Sequence, residues 1–334
     1  PRLSSAASDV YKRQLIILIL ILMNLKKFKK LSGDASFRQF YRTNNSVLVY
    51  SKIQKRSNLL NYDAVNKILI KNKILAPGLI SQNYKKNFIE IEDFGNKNML
   101  DKIISSKTKL NEYKRILKIL YQIQKIKNFK TQNFLKKKFN LSNYSKAKIL
   151  KESYLFLDWY LPANKLIIQK GHLKKNLKKI IDNLYLNLKI KHKVFVHRDF
   201  HVSNMMFYKN KIALIDSQDA VLGNPAYDLA SLIDDVRIKT SNSFKSNILK
   251  VFLSKFKYKN ESQFINDFEI LSVLRNLKII GIFTRLANRD KKKKYLKLIP
   301  YAWKLIDNRM KNNSNFNDLI TVSYTHLTLP TKVE

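Results

Sequence analysis

Two spacings of apolar residues divide this chain. From Leu25 to Ile53 apolar side chains alternate around polar turns, and Leu79 to Tyr84 and Phe88 to Glu92 repeat the alternation about Lys85-Lys86-Asn87. A period of two belongs to strands with one covered face, so these runs predict an antiparallel sheet. Between them Leu59 to Lys73 reads as a helix closed by Ala76-Pro77-Gly78. Beyond Gly95 the period lengthens, with Leu110, Tyr113, Ile116, Leu117, Leu120 and Ile123 at steps of three and four. That spacing buries one face of a helix. Residues 143–160 and 165–190 continue the helical pattern, as does the rest to about residue 312, where Phe264, Phe268, Leu271 and Leu274 mark another stripe. The class implied is α+β, sheet first and mainly helical afterwards.

One stretch interrupts the helical pattern. Val194-Phe195-Val196 leads into His197-Arg198-Asp199, and Asn204 follows five residues after that Asp. Met205 to Tyr208 and Lys211 to Ile215 are short β-type runs joined by Lys209-Asn210, a usable hairpin turn, and Asp216 comes next. Folding the hairpin returns Asn204 to the side of Asp216. Two oxygen ligands then face one point, which suits Mg²⁺, a hard cation. Asp199 lies one loop away, placed to accept the proton of an attacking hydroxyl. His-Arg-Asp-x-x-x-x-Asn followed by Ile-Asp matches the catalytic loop and metal Asp of kinase-type enzymes.

At these residues the chain resembles the aminoglycoside phosphotransferase and choline kinase family, small-molecule kinases on the protein-kinase fold. It is most similar to the anomeric amino-sugar kinases, which phosphorylate N-acetylmuramate and N-acetylglucosamine at the 1-hydroxyl during peptidoglycan recycling. Further strings carry the resemblance: Ser32-Gly33-Asp34-Ala35-Ser36-Phe37-Arg38, Glu92-Asp93-Phe94-Gly95, Gln218-Asp219-Ala220-Val221-Leu222-Gly223, Tyr227-Asp228-Leu229-Ala230-Ser231-Leu232 and Leu277-Lys278-Ile279-Ile280-Gly281-Ile282-Phe283-Thr284-Arg285-Leu286. Together they span residues 31–312.

The resemblance implies a two-lobed protein-kinase-like α+β fold. Residues 23–95 would form a nucleotide-binding N-lobe, an antiparallel sheet with one helix, and residues 96–321 a mainly helical C-lobe for catalysis and acceptor binding. ATP and Mg²⁺ are the implied cofactors, with Asp199 catalytic and Asn204 and Asp216 on the metal. Gly33, Asp34, Ala35 and Ser36 would lie over the nucleotide phosphates, where small residues let backbone N–H groups approach. Glu92, Asp93 and Phe94 would be the hinge at the adenine edge. Lys52, at the end of the third strand, is a candidate phosphate ligand or an edge-strand solvating residue, since the next helix has Asp63 as its only acid. His197 and His201 would hold the catalytic loop, which Asp228 braces from the first turn of its own helix. Asp219 is a water-mediated metal contact or an acceptor for a sugar hydroxyl. Arg285, with Arg275 and Arg289, would reach an anionic substituent such as a lactyl carboxylate or form surface salt bridges. Phe156, Trp159 and Tyr160 either wall a sugar cleft or pack the lower lobe.

Composition narrows the classes. Absence of Cys excludes disulfides, zinc-thiolate sites and thiol nucleophiles. The net charge of +41, from 65 Lys plus Arg against 24 Asp plus Glu, invites a nucleic-acid reading. Its lysines are scattered or in short runs (136–138, 174–175, 291–294) without interleaved aromatics, so a solvated surface is expected, with no specific nucleic-acid partner. Non-specific polyanion binding at low salt follows regardless. Two rivals to a sugar kinase stand: a kinase of the same fold acting on an aminoglycoside, choline or an amino alcohol, and a non-catalytic basic polyanion binder. Scarcity of acids favours a neutral or anionic acceptor over the first. Nothing in the second requires Asp199, Asn204 and Asp216 at these spacings. Residues 1–14 and Val322 to Glu334 lack the Lys/Asn/Ile bias and resemble translated library-adapter sequence. Leu15 to Leu22 falls far short of the ~20 residues that span a bilayer. Hence 1–22 is read as a non-native leader, 322–334 as a non-native tail, Met23 as the start and the cytoplasm as the location. Oligomeric state stays open.

Overall fold

The structure is a computed structural model that describes residues 29–31, 38–164, 170–256, 258, 260–311 and 313–326. The expected leader lies outside the described residues, as do Gly33, Asp34, Ala35 and Ser36.

The alternating segments form one antiparallel sheet of five strands, ordered β1 (Lys29–Leu31), β2 (Gln39–Arg42), β3 (Ser46–Tyr50), β5 (Phe88–Glu92) and β4 (Leu79–Asn83). The β4–β5 turn works because Asn87 takes a left-handed conformation at φ 63°. Helix α1 (Ser57–Lys71) covers one face, where Leu59 and Tyr62 join Val47, Val49, Ile89 and Ile91 in a small core. One turn further along, Val65, Ile68 and Leu69 of the same helix belong to the much larger core of the helical part. Thus α1 is shared by both lobes.

The helical part contains α2 (Met99–Ser105), α3 (Lys109–Gln124), α4 (Lys146–Ser153), α5 (Lys170–Leu186), α6 (Ala226–Ile233), α7 (Asn242–Phe256), α8 (Glu261–Asn288), α9 (Ile299–Met310) and α10 (Asn317–His326). Every apolar position named above in α3 and α8 is buried except the half-buried Leu110 and Ile282. Helix α5 ends earlier than its pattern suggested because Asp267 captures the backbone N–H groups of Lys189 and Ile190 at 2.7 and 2.9 Å. A side chain that satisfies orphan amides replaces another helical turn. Val322 and Ser323, the first residues of the expected tail, are buried within α10.

Helix α8 is the spine. At Gly281 an added Cβ would lie 2.2 Å from the Leu155 carbonyl carbon, so only glycine permits this contact. The chain opposite Gly281 leaves α4 and makes a π-helical turn at Phe156–Tyr160. Phe156 is buried and stacks on Tyr160 at 5.0 Å, while Trp303 of α9 donates to the Tyr160 hydroxyl at 3.2 Å. Phe156 and Tyr160 therefore pack the lower lobe, as the blander alternative held, and Trp159 is half-buried away from the cleft.

Three short ribbons complete the fold. The first, β6 (Lys130–Gln132) with β7 (Lys138–Asn140), was not foreseen, since Lys-Thr-Gln and Lys-Phe-Asn carry no apolar alternation. In the second, β8 (Val194–Val196) pairs with β11 (Val221–Gly223). The third, β9 (Met205–Tyr208) with β10 (Lys211–Leu214), is the expected hairpin, and Lys209 and Asn210 both have positive φ, as a type I′ turn requires. No helix among the described residues is long and apolar enough to cross a membrane.

Candidate active site

A cleft of about 630 Å³ runs between the sheet and α8. Its walls include Asp199, Asn204, Asp216, Asp219, His201, Arg285 and the hinge residues Glu92, Asp93 and Phe94, so most of the residues singled out in the sequence meet there.

The catalytic loop is fixed from below. Asp228, fully buried at the start of α6, accepts the backbone N–H of His197 at 2.6 Å and of Arg198 at 3.0 Å. Burial pushes its carboxyl up to about 7 in spite of these bonds, with the Asp199 charge adding to the rise. Arg198 sits at φ 74°, a left-handed conformation that only a well-braced loop holds. Its guanidinium pairs with Glu152 of α4, and Lys278 of α8 reaches the other Glu152 oxygen at 2.6 Å. Tyr144 donates to that second oxygen too, at 2.6 Å. One buried carboxylate thereby ties α4 and α8 to the catalytic loop.

Asp199 gains from the same network. Burial would raise its carboxyl, but the charges of Lys278 first and Arg198 outweigh burial and hold it well below the usual carboxylate range. His201 is buried beside it and driven down to about 3, by burial first and Arg237 second, so this imidazole is neutral at any working pH. A neutral, buried ring whose Nε2 lies 3.5 Å from the Asn204 amide nitrogen supports the loop. His197 is buried edge-on to Phe200, and its backbone carries the bond to Asp228.

Asn204 donates through Nδ2 to the Asp199 carbonyl at 3.1 Å, leaving its amide oxygen to accept. The backbone N–H of Ile215 donates to the Asn204 carbonyl at 3.0 Å, which brings Asp216 beside it. Asp216 adopts φ 65°, uncommon for a residue with a Cβ and typical of functional turns. Asn204 and Asp216 thus stand at the hairpin mouth with oxygen donors of the hard type that Mg²⁺ takes, and they are the residues that could hold it beside phosphate oxygens and water. Among the described residues no group of three or more His, Cys, Asp or Glu could cage a metal alone.

At the other end Arg42 of β2 clamps the hinge. It bonds the Asp93 carboxylate at 2.9 Å, the Gly95 carbonyl at 2.8 Å and the Asn96 side chain. Glu92 turns outward and accepts the Gly78 N–H at 2.9 Å, while Phe94 is buried against Tyr208 at 5.2 Å. Side chains thus hold this segment in place.

Two sequence candidates do not reach the cleft. Lys52 follows the end of β3 and is exposed, because strand alternation gives the cleft-facing position to Val47 and buries Val49 in the small core. Arg289 is exposed and bonded to Asp290. Conversely Arg38, Arg237 and Gln218 line the cleft without having been given a role. A signal for Arg38 existed: it closes the Ser32-Gly33-Asp34-Ala35-Ser36-Phe37-Arg38 string and stands directly before β2.

A sheet lobe, a clamped hinge, a braced Asp loop and an Asn/Asp pair across a hairpin define a kinase-like phosphotransferase. The sequence agrees: residues 27–259 match the family model described as "Phosphotransferase enzyme family", and the chain belongs to that family. It is an ATP-dependent kinase with an alcohol group as acceptor. An N-acetylmuramate/N-acetylglucosamine kinase of Neisseria meningitidis serogroup B is 26% identical over 280 residues, covering 80% of this chain and 81% of its own. Among solved structures, a choline/ethanolamine kinase family protein from Mesorhizobium loti has a TM-score of 0.60 at 11% identity, covering 89% of this chain and 92% of that one. An ADP-bound aminoglycoside phosphotransferase has 0.56 at 16%, covering 92% and 99%. At such identities the structural likeness speaks for the two-lobed fold.

Proposed function

We propose that this kinase transfers the γ-phosphate of ATP to a sugar, at the anomeric hydroxyl of N-acetylmuramate or N-acetylglucosamine. The carrying observation is the charge of the cleft beyond Asp199. Arg237, Arg275, Lys278 and Arg285 line the cleft with Asp199 and Asp219, Arg237 also pairing with Asp235 and Lys278 with Glu152. A polycationic aminoglycoside or a quaternary amine would meet repulsion there, whereas a neutral or carboxylate-bearing sugar would meet planar donor forks. The name of the Neisseria relative points the same way.

In this reading Asp199 receives the hydroxyl as a hydrogen-bond donor and takes its proton as the bond to phosphorus forms. Asn204 and Asp216 would hold Mg²⁺, which when bound neutralises charge on the phosphate oxygens. Arg42 and Asp93 shape the adenine end, and Asp219 stands at the mouth as an acceptor for a sugar hydroxyl. Dependence on ATP fits a cytoplasmic enzyme.

The test is ADP release with N-acetylmuramate, N-acetylglucosamine, kanamycin and choline as separate acceptors, followed by phosphorus NMR of the product. Phosphate coupled to an anomeric proton supports the reading. Turnover confined to kanamycin or choline overturns it.

A further inference from the structure

Among the described residues no strand lysine of the N-lobe lines the cleft. Along β3 the side chains alternate, so the inward positions after Ser46 belong to Val47, which lines the cleft, and Val49, which is fully buried among Leu59, Tyr62 and Ile89. Among the described residues, the cations this lobe contributes to the cleft wall are Arg38 and Arg42. Arg42 is engaged at the hinge. Arg38 is only 4% exposed and enters the cleft from the position just before β2. Its guanidinium lies 5.5 Å from the ring centroids of both Phe40 and Tyr62. Its two terminal nitrogens bond the Asp216 carboxylate and the Gln218 amide oxygen.

Resting on the kinase reading above, we infer that Arg38 is the residue that binds the ATP phosphates from the N-lobe, and that without nucleotide it neutralises Asp216 in the place a metal cation would take. Rings on either side fix the guanidinium plane, so its fork is oriented before ligand arrives. A guanidinium presents five N–H donors. It can therefore give up one Asp216 oxygen and keep hydrogen bonds to phosphate oxygens at the same site. Asp216 is half-buried, and the pairing gives its carboxylate a cationic partner at the cleft wall. Metal and nucleotide then bind together, since each displaces Arg38 from Asp216 and the phosphates supply its new partners. Arg38 here is a binding residue for the donor substrate, with no proton to transfer.

The experiment is acceptor-free calorimetry of Mg·ATP, Mg·ADP and adenosine with the wild-type protein, Arg38→Met, Arg38→Lys and Lys52→Met. Loss of a charge-assisted fork should weaken Mg·ATP and Mg·ADP by ~10–100-fold in Arg38→Met. Adenosine affinity should stay within about twofold, because the hinge is untouched. Arg38→Lys should fall between, and Lys52→Met should match wild type. Should Arg38→Met not fold, the ATP-to-adenosine ratio of Arg38→Lys decides alone: a fall supports the assignment and an unchanged ratio overturns it. Equal loss for adenosine and ATP would mean a packing role and overturn it. Unchanged ATP affinity in Arg38→Met, or a loss in Lys52→Met alone, would overturn it as well. Failure of the wild-type protein to bind Mg·ATP would instead defeat the kinase reading beneath it.

Discussion

The two walls of the cleft are built differently. On the sheet side six buried residues form a separate core among the described residues, and Arg38 and Arg42 are the cations this lobe gives to the cleft wall. On the helical side the catalytic loop is tied through Asp228 to α6 and through Arg198 and Glu152 to α4 and α8. Fully burying one aliphatic or aromatic side chain contributes about 1.5–3 kcal/mol, so a core this small leaves the sheet lobe the softer half. The helical lobe braces the catalytic loop from several elements, and α1 contributes residues to both cores.

Four substitutions or conditions would sharpen or break this contrast. Asp199→Asn removes the proton acceptor from the rigid wall, and turnover should fall by ~10²–10⁴-fold with Mg·ATP binding retained. Stopped-flow ADP release and calorimetry separate the two quantities; parallel losses would mean that the wall is not independent of the nucleotide. Asp228→Ala strands two buried N–H groups, each at about 1–3 kcal/mol, so urea midpoints and turnover should both drop. Retained turnover would show that the loop holds itself. Arg42→Ala frees the hinge on the softer wall. Its KM for ATP should rise by about 5–50-fold through loss of charge-assisted bonds, with the acceptor KM little changed, in steady-state kinetics.

The smallest effect is on stability against pH, and the two signs differ. Asp234 is fully buried; burial raises its carboxyl, but Arg309 at 2.8 Å and then Lys245 hold it below the ordinary value of 3.8. Its contribution is present above that value and lost as pH falls through the lower folded one. Asp228, raised to about 7 chiefly by burial, holds a proton in the folded state that the unfolded chain has released above 3.8. Its contribution therefore declines as pH rises toward 7. Melting temperatures should fall steeply on the acid side, and Asp228→Asn should lose the gentle decline between pH 5 and 7. A slope unaltered in that variant would remove Asp228 as its source.

What could be read from sequence followed the same division. Local signals were complete for the β9–β10 hairpin, whose turn residues and flanking ligands lie within 13 consecutive positions from Asn204 to Asp216. Periodicity served equally for α1, α3 and α8. Hidden were the features made by distant pairings: Arg38 with Asp216, Glu152 with Arg198 and Lys278, and β8 with β11. Each joins segments that no local pattern relates. Lys52 illustrates the converse, since a strand lysine near the right place looks like a ligand until the pleat shows which side chains face inward. The close contact at Gly281 was equally silent, because a glycine in a helix pattern does not say which backbone approaches it.

The most direct measurement is a crystal structure with Mn²⁺ and ADP bound. A metal ion within about 2.0–2.3 Å of both the Asn204 amide oxygen and the Asp216 carboxylate, with Asp199 facing the open end of the phosphates, is the expected result. Metal held elsewhere, or phosphates lying away from Asp216, would contradict it.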